Sequence, residues 1–310
     1  MVESGHMTNS ISLNNGKKIP ALGLGTWKSE PGEVGAAVQT ALETGYRHID
    51  CAAIYMNEPE IGEIFSSVFS EGTIKREDVF ITSKLWNSDH HPDAVEKACR
   101  KTLADLQLEY LDLYLMHWGI AFKPSNAKEP LDENGMIMTE PVSTQETWRA
   151  MEQLVEKGLV KSIGVANFTT TMLLDLLTYA KTQPVMNQVE IHPYNAQPEL
   201  VDFCHKKKIA VTAYSPLGSH GAEEDRPLMD AVVLSIAKAH KKTPAQILIR
   251  WSLQRDLVII PKSTNRDRIQ ENFDVFDFEL TDPEMQKVNS LNKNHRYVDP
   301  AEWWGLSYFR

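Results

Sequence analysis

The chain is poor in cysteine, has no long apolar run and has no excess of positive charge. Its three cysteines, Cys51, Cys99 and Cys204, lie far apart without metal-ligand spacing. This usage predicts reduced thiols in a cytoplasmic protein, with neither a disulfide nor a metal site. No stretch of about 18 apolar residues occurs, and the N-terminus lacks the layout of a signal peptide. We therefore expect no membrane span.

Acidic residues outnumber basic ones by 42 to 32, which gives the 310-residue chain a net charge of -10. Such a surface repels phosphate backbones and anionic membranes, so neither a nucleic acid nor a membrane partner is expected. Residues 1–6, reading MVESGH before Met7, look like a cloning remnant. We predict that residues 7–310 form a single domain and a monomer, although the sequence leaves a dimer open.

Short apolar runs alternate with amphipathic stretches along the whole chain, which predicts parallel strands joined by crossover helices. The predicted helices include Pro92–Leu106, Ser143–Lys157 and Thr243–Gln254. The eight predicted strands are Ala21–Thr26, Arg47–Asp50, Val79–Leu85, Leu111–His117, Ser162–Asn167, Met186–Ile191, Val211–Ser215 and Val258–Pro261.

Eight such units favour a closed (β/α)8 barrel over an open doubly wound sheet, which usually has a glycine-rich dinucleotide turn. The nearest candidate, Gly23–Lys28, has no third glycine and no helix directly after it. An Asn-Gly turn within Ile11–Ile19 predicts a hairpin that caps the barrel floor. Two long connections, Gly119–Val142 and Gly218–Leu228, and the tail after Asn292 are candidate substrate loops.

Polar residues close three successive predicted strands, at the rim where barrels place their catalytic groups. Asp50, Lys84 and His117 stand at strand ends, and Tyr55 follows Asp50 in the connecting loop. This set suits proton delivery to a carbonyl oxygen: Tyr55 is the acid, Lys84 lowers its pKa, Asp50 orients Lys84, and His117 orients the substrate. Taken singly, these residues fit a structural ion pair, a core histidine and a surface tyrosine, but together they favour catalysis.

Basic and hydroxyl side chains follow the eighth predicted strand and precede a helix. A helix start adds unpaired N–H groups and a partial positive charge, so this segment is either an anion site or an ordinary solvated helix start. The side chains concerned are Lys262, Ser263, Thr264, Asn265, Arg268 and Asn272.

Six motifs spread over nearly the whole chain resemble those of the aldo-keto reductase family. They are GLGTW at Gly23–Trp27, GYRHIDCAAIYMNE at Gly45–Glu58, ITSKLW around Lys84, LYLMHW ending at Trp118, GVANF at Gly164–Phe168, and IPKSTNRDRIQEN at Ile260–Asn272. The resemblance implies a (β/α)8 barrel and a catalytic tetrad of Asp50, Tyr55, Lys84 and His117. It also implies NADP(H) as the hydride carrier.

The resemblance also implies which residues contact each part of the cofactor. Lys262, Ser263, Asn265 and Arg268 would hold the 2′-phosphate, which favours NADP over NAD, and Asn272 the adenine. Tyr214 would stack on the nicotinamide, while Asn167 and Gln188 bond its carboxamide. The remaining cofactor candidates are Gly25, Thr26, Trp27, Asp50, Ser215, Leu217, Gly218, Thr264 and Glu271.

Aromatic residues after the strands predict an apolar pocket for aldehydes or small ketones. The substrate candidates are Trp27, Trp86, His117, Trp118, Phe122 and Trp303. The tail run RYVDPAEWWG resembles that of sugar-aldehyde reductases, which leaves a sugar substrate open. Two other functions are alternatives: reduction of an activated double bond, against which His117 argues because that branch of the family has Glu at this position, and a non-catalytic NADPH-binding barrel subunit.

Two positions depart from the family pattern. Ala166 stands where the family usually has Ser, which predicts the loss of one nicotinamide hydrogen bond. Gly119 stands where the family commonly has Pro, which predicts a freer substrate loop.

Overall fold

A computed structural model describes residues 10–125, 127–218 and 225–309 of the chain. It begins with a two-stranded antiparallel hairpin of β1 (Ser10–Ser12) and β2 (Lys18–Pro20). Gly16 takes the left-handed φ of 82° that the tight turn between the strands requires. The turn's Asn14 and Asn15 side chains donate to Pro184 and Ser162, both next to the amino ends of barrel strands. The hairpin therefore caps the barrel floor, as predicted.

Eight parallel strands follow and form one sheet in chain order. They are β3 (Leu24–Gly25), β4 (His48–Asp50), β5 (Phe80–Leu85), β6 (Leu113–Met116), β7 (Ile163–Ala166), β8 (Met186–Glu190), β9 (Ala210–Tyr214) and β10 (Val258–Ile259). Parallel bridges from Leu22 to Ile259 and from Gly25 to Lys262 join the two edges and close the barrel. The predicted fold class and all eight strands are confirmed.

Helices surround the barrel on the outside. They are α1 (Val34–Thr44), α2 (Glu58–Glu71), α3 (Pro92–Asp105), α4 (Thr144–Glu156), α5 (Thr170–Tyr179), α6 (Pro198–Lys206), α7 (Ala231–His240), α8 (Pro244–Leu253), α9 (Arg266–Phe273), α10 (Asp282–Asn289) and α11 (Ala301–Trp304). Local chemistry fixes several starts: Ser143 with Glu146, and Thr243 with Gln246, form capping boxes before α4 and α8.

The strand residues alternate between two apolar cores. One set packs against the helices, and the other fills the barrel floor, where Leu115 and Met186 meet Ile19 of the hairpin. Further up, the inward positions change from apolar to polar, and Asp50, Lys84 and Gln188 are buried there. Buried charges need partners, so this upper layer is where a functional site is expected.

The long connections after the strands partly cover the barrel mouth. The segment after β6 folds back on itself through antiparallel bridges, and Ile137 N donates to Trp304 O of the C-terminal tail at 2.9 Å. Of the predicted Gly218–Leu228 loop, residues 219–224 lie outside the described residues, as do residues 1–6. The three cysteines are unpaired and buried. No helix within the described ranges has the length and apolar character needed to cross a membrane.

Candidate active site

Four polar side chains converge at the carboxyl ends of β4, β5 and β6. Asp50 ends β4, Lys84 lies in β5, and His117 directly follows β6. Tyr55 ends a short 3-10 turn that begins three residues after Asp50. The chain positions that the sequence predicts to share a rim are thus brought together by adjacent strands.

Local backbone geometry aims Tyr55 into the barrel. Met56, which directly follows Tyr55 and caps the 3-10 turn, has a left-handed φ of 61°. The amide of Asn57 donates to the backbone oxygen of Thr26 at 2.9 Å and ties this loop to the end of β3. The tyrosine side chain is therefore held from a loop that is fixed at both ends.

Lys84 is completely buried and uses all three of its ammonium donors. Its Nζ lies 2.5 Å from Asp50 Oδ1, 2.9 Å from the backbone oxygen of Cys51 and 3.3 Å from Tyr55 Oη. Since an ammonium can only donate, the tyrosine oxygen accepts from it. The hydroxyl proton of Tyr55 is then left to point at another acceptor.

Burial and charge act in opposite directions on this group. Burial, the largest effect, and Asp50 raise the pKa of Tyr55, the Lys84 ammonium lowers it, and the net pKa is about 12. Burial would lower the pKa of Lys84, but Asp50 and Tyr55 raise it above its ordinary value overall. The prediction that Lys84 favours the phenolate is correct in sign. The expectation of a net pKa below 10 is wrong, because burial outweighs the ammonium.

His117 is a neutral imidazole. Burial, then the Lys84 charge and His90, hold the pKa of His117 well below its usual value. Its ring lies edge-on to that of Tyr55, with 6.0 Å between centroids. A neutral imidazole donates one hydrogen bond and carries no net charge. This suits it to orient an oxygen atom that Tyr55 protonates.

A cavity of about 320 Å³ opens above this group. Lys84 lies behind Tyr55 and does not reach the wall. The predicted residues that line the cavity are Gly25, Thr26, Trp27, Asp50, Tyr55, Trp86, His117, Trp118, Asn167, Gln188, Tyr214, Ser215, Leu217, Gly218, Lys262 and Trp303.

One wall of the cavity is aromatic. Trp86, Trp118 and Trp303 line it, but Phe122 is fully buried behind it and packs edge-on against Trp86 and Trp304. Sequence reasoning placed Trp304 in the aromatic tail but not among the substrate contacts, and it also lines the cavity. The lining residues that sequence reasoning missed are Lys28, Ile54, Glu129, Pro216, Ile260 and Val298. The Trp303-Trp304 pair was the available signal, but nothing in the tail sequence says that both indoles reach one cavity.

Two amides, Asn167 directly after β7 and Gln188 within β8, lie beside the tetrad, and both make hydrogen bonds within the protein. Asn167, at a left-handed φ of 63°, donates to the backbone oxygen of His117 at 2.9 Å and accepts from Tyr214 Oη at 2.8 Å. Gln188 Nε2 donates to Asp50 Oδ2 at 2.7 Å. Each amide keeps further donor and acceptor capacity for a ligand.

The predicted anion site lies at the start of α9. Lys262 reaches the cavity, and Lys262, Asn265 and Arg268 are exposed. Asn265 caps the helix by accepting from the backbone N–H of Arg268 at 3.0 Å. Ser263 and Thr264 are half-buried, Asn272 is buried, and Glu271 accepts from Thr243 Oγ1 at 2.8 Å. The segment joins the cavity to a basic helix start, which fits a phosphorylated dinucleotide.

The two departures from the family pattern differ in effect. Ala166 is buried among the apolar side chains of the barrel interior. Gly119 is held in place by a hydrogen bond and by close packing, so the prediction of a freer loop is wrong. Its N–H donates to Tyr308 Oη at 2.8 Å, and an added Cβ would lie 2.2 Å from Met172 Cε. Close packing and this hydrogen bond outweigh the conformational freedom of glycine.

Comparisons with known proteins agree with this geometry. A family model described as "Aldo/keto reductase family" matches residues 21–293. "Aldose reductase C" of Dictyostelium discoideum is 52% identical, over 97% of this chain and 95% of its own length. "Aldo-keto reductase family 1 member A1" of Homo sapiens is 51% identical, over 94% and 91%. A solved aldose reductase from Schistosoma japonicum superposes with a TM-score of 0.91 at 46% identity, over 96% and 97% of the two chains.

Proposed function

We propose, from the premise that this chain belongs to the aldo/keto reductase family, that it reduces aldehydes and small ketones with Tyr55 as the proton donor. Members of the family are NADP-dependent oxidoreductases acting on carbonyl groups, and so is this protein. The observation that carries the role of Tyr55 is its hydrogen bond from Lys84. With every ammonium donor assigned, the phenol proton is free for a substrate oxygen.

The proposed roles follow from the contacts. Asp50 keeps Lys84 charged and in place, and Lys84 opposes the effect of burial on the Tyr55 phenol. Neutral His117 donates a hydrogen bond to the carbonyl oxygen and orients it toward Tyr55. NADPH supplies the hydride to the carbonyl carbon when it is bound. Removing this acid should cost about 10²–10⁴-fold in rate.

The proposed cofactor site runs from Tyr214, Asn167 and Gln188 at the cavity to the basic start of α9. A Cβ at Gly25 would lie 2.7 Å from the backbone oxygen of Ile260, so the strand ends approach closely beside this route. Ser215, Leu217 and Gly218 line the cavity between the two ends, where the pyrophosphate is expected. Thr26, Trp27, Ser263, Thr264, Asn265, Glu271 and Asn272 complete the proposed contacts.

The aromatic wall favours aldehydes with apolar bodies over sugar aldehydes. The indole N–H of Trp86 donates to Lys128 O, and that of Trp304 donates to Glu129 Oε1. These donors are satisfied within the protein, so both rings offer a sugar few hydrogen bonds. Trp27, Trp118 and Trp303 complete the proposed substrate contacts.

The experiment that tests this function follows NADPH absorbance with a panel of aldehydes. We expect turnover by the native protein, higher kcat/KM for aromatic than for sugar aldehydes, and near-complete loss in Tyr55→Phe with NADPH binding retained. Unchanged turnover in Tyr55→Phe would show that Tyr55 is not the proton donor. NADPH binding without turnover of any carbonyl would favour the non-catalytic barrel subunit.

We also propose that residues 7–310 act as one domain, as a cytoplasmic monomer. The bridges from Leu22 to Ile259 and from Gly25 to Lys262 support one domain, since they join the two ends of the barrel. Three buried, unpaired cysteines support a reducing compartment. Size-exclusion chromatography with light scattering tests the oligomeric state.

A further inference from the structure

We propose that Gln188 is a positioning residue for the Tyr55 acid and that it links the nicotinamide carboxamide to Asp50. This inference rests on the proposed function and goes beyond carboxamide binding. The link is a chain of hydrogen bonds: Gln188 Nε2 donates to Asp50 Oδ2 at 2.7 Å, and Lys84 Nζ lies 2.5 Å from Asp50 Oδ1 and 3.3 Å from Tyr55 Oη.

The Gln188 bond crosses the barrel. Gln188 lies on β8 and Asp50 on β4, and three strands separate them in either direction round the eight-stranded barrel. Both residues are almost completely buried. A single contact therefore joins the cofactor side of the mouth to the acid side.

The chemistry of the partners fixes the orientation of the amide. Asp50 already accepts from Lys84, and an ionised carboxylate can only accept, so the nitrogen of Gln188 must face it. This is the only side-chain hydrogen bond of Gln188 among the described residues. Its oxygen and second N–H remain for a ligand in the cavity that Gln188 lines. One amide can thus contact the cofactor carboxamide and Asp50 together.

The bond has an electrostatic consequence for the acid. A donor to Asp50 spreads the carboxylate charge, and such charge-assisted bonds are roughly twice as strong as neutral ones. Lys84 lowers the pKa of Tyr55, whereas Asp50 raises it. When the charge of Asp50 is spread, Asp50 raises the pKa of Tyr55 less, and more of the lowering by Lys84 remains. Without Gln188, Tyr55 becomes a weaker acid.

The other titratable groups near this chain of hydrogen bonds should not contribute to the alkaline part of the pH profile. Burial lowers the pKa of His48 to about 4 and that of His117 well below 6.5, so both stay neutral. Burial raises the pKa of Glu58 to about 7, which affects only the acid side. Burial holds the pKa values of Cys51 and Tyr214 well above their ordinary values.

Asn167 provides the matched control. It is the second amide expected to bind the carboxamide, but its hydrogen bonds go to His117 O and Tyr214 Oη, not to Asp50. Gln188→Met keeps the side-chain length without an N–H donor. Asn167→Gly removes the amide at a position where glycine tolerates the positive φ. Both variants should bind NADPH more weakly.

The measurement is the pH profile of kcat/KM for NADP⁺-dependent alcohol oxidation, in which ionised Tyr55 is the active form. We expect kcat/KM to begin its rise at alkaline pH about one pH unit higher in Gln188→Met than in the native protein. In Asn167→Gly the rise should occur at the native pH. An unmoved rise in Gln188→Met together with weaker NADPH binding would reduce Gln188 to a cofactor contact and overturn the proposal. If Gln188→Met does not fold, Gln188→Glu takes its place. The carboxylic acid that this substitution introduces can donate a hydrogen bond to Asp50 while it is neutral. Its ionisation should lower the rate of carbonyl reduction as pH rises.

A second measurement separates this proposal from the proposed function. NMR of ¹³C-labelled tyrosine, with Tyr55→Phe to assign the signal, follows the phenol in the cofactor-free protein. The onset of Tyr55 ionisation should occur at higher pH in Gln188→Met than in the native protein, and an identical onset would also overturn the proposal. Failure of the native protein to turn over any carbonyl would refute the proposed function and leave this readout intact.

Discussion

Replacing Lys84 by Met should damage stability and activity together, because one buried ammonium serves both. The Lys84 side chain is 0% exposed and that of Asp50 is 2% exposed. The substitution leaves the Asp50 carboxylate buried with only the Gln188 amide as a side-chain partner among the described residues. Breaking one side of a buried ion pair costs about 3–5 kcal/mol. We expect a loss of that size in the free energy of unfolding.

A double-mutant cycle tests the physical reason. Asp50→Asn strands the Lys84 charge in the same way, whereas Asp50→Asn combined with Lys84→Met leaves no unpaired charge at this place. The cost of the double variant in urea unfolding should be below the sum of the two single costs by about 1–3 kcal/mol. Strict additivity would refute the view that the buried pair is charged and coupled.

Activity and pH complete the argument. All three variants should lose about 10²–10⁴-fold in aldehyde reduction, because each removes the support of the Tyr55 acid. The pKa of Lys84 is raised in the folded protein, since the effects of Asp50 and Tyr55 exceed that of burial. Its contribution to stability is therefore complete below about pH 10.5, the ordinary value, and disappears as pH rises through the higher folded value. Native stability measured from pH 9 upward should fall more steeply than that of the double variant.

Three further predictions concern the cofactor, the tail and a buried carboxyl group. Lys262→Met and Arg268→Met should raise the Kd for NADPH much more than that for NADH, and equal losses would contradict a 2′-phosphate role. Tyr308→Phe removes the hydrogen bond to the Gly119 N–H, worth about 1 kcal/mol, so KM should rise about fivefold for bulky aromatic aldehydes and stay constant for short ones. Burial raises the pKa of Glu58 to about 7 from 4.5, so the contribution of this group to stability is complete below pH 4.5 and is lost as pH rises through 7. Glu58→Gln should remove roughly 3 kcal/mol of that dependence in urea unfolding.

The sequence predicted those features that a single strand or turn determines. Short apolar runs gave the barrel, because buried parallel strands need continuous apolar residues on both faces. The Asn-Gly turn gave the hairpin, because few residues tolerate the φ of 82° found at Gly16. Asp50, Lys84 and His117 were predicted to share a rim because parallel strands end at the same edge.

Features that depend on several elements were not predictable in this way. Whether Phe122 or Trp304 lines the cavity depends on how the tail packs on the loop after β6, and no local pattern records that. The role of Gly119 depends on Tyr308, which lies 189 residues away. The net pKa of Tyr55 depends on complete burial, whereas the sequence indicated only the charged neighbour.

Two hydrogen-bonded chains show why the identity of polar residues is more predictable than their partners. Gln188–Asp50–Lys84–Tyr55 and Tyr214–Asn167–His117 each join a residue expected to bind nicotinamide to a tetrad residue. Strand alternation predicts that Asp50, Lys84 and Gln188 point into the mouth. It does not predict which opposite strand supplies the partner, since that depends on barrel closure. The contact from Gln188 to Asp50 exists because the bridges from Leu22 to Ile259 and from Gly25 to Lys262 close the barrel, which places β4 and β8 on opposite sides of one narrow space. The acid therefore depends on the closed barrel as a whole and not on the β4–β5 pair alone.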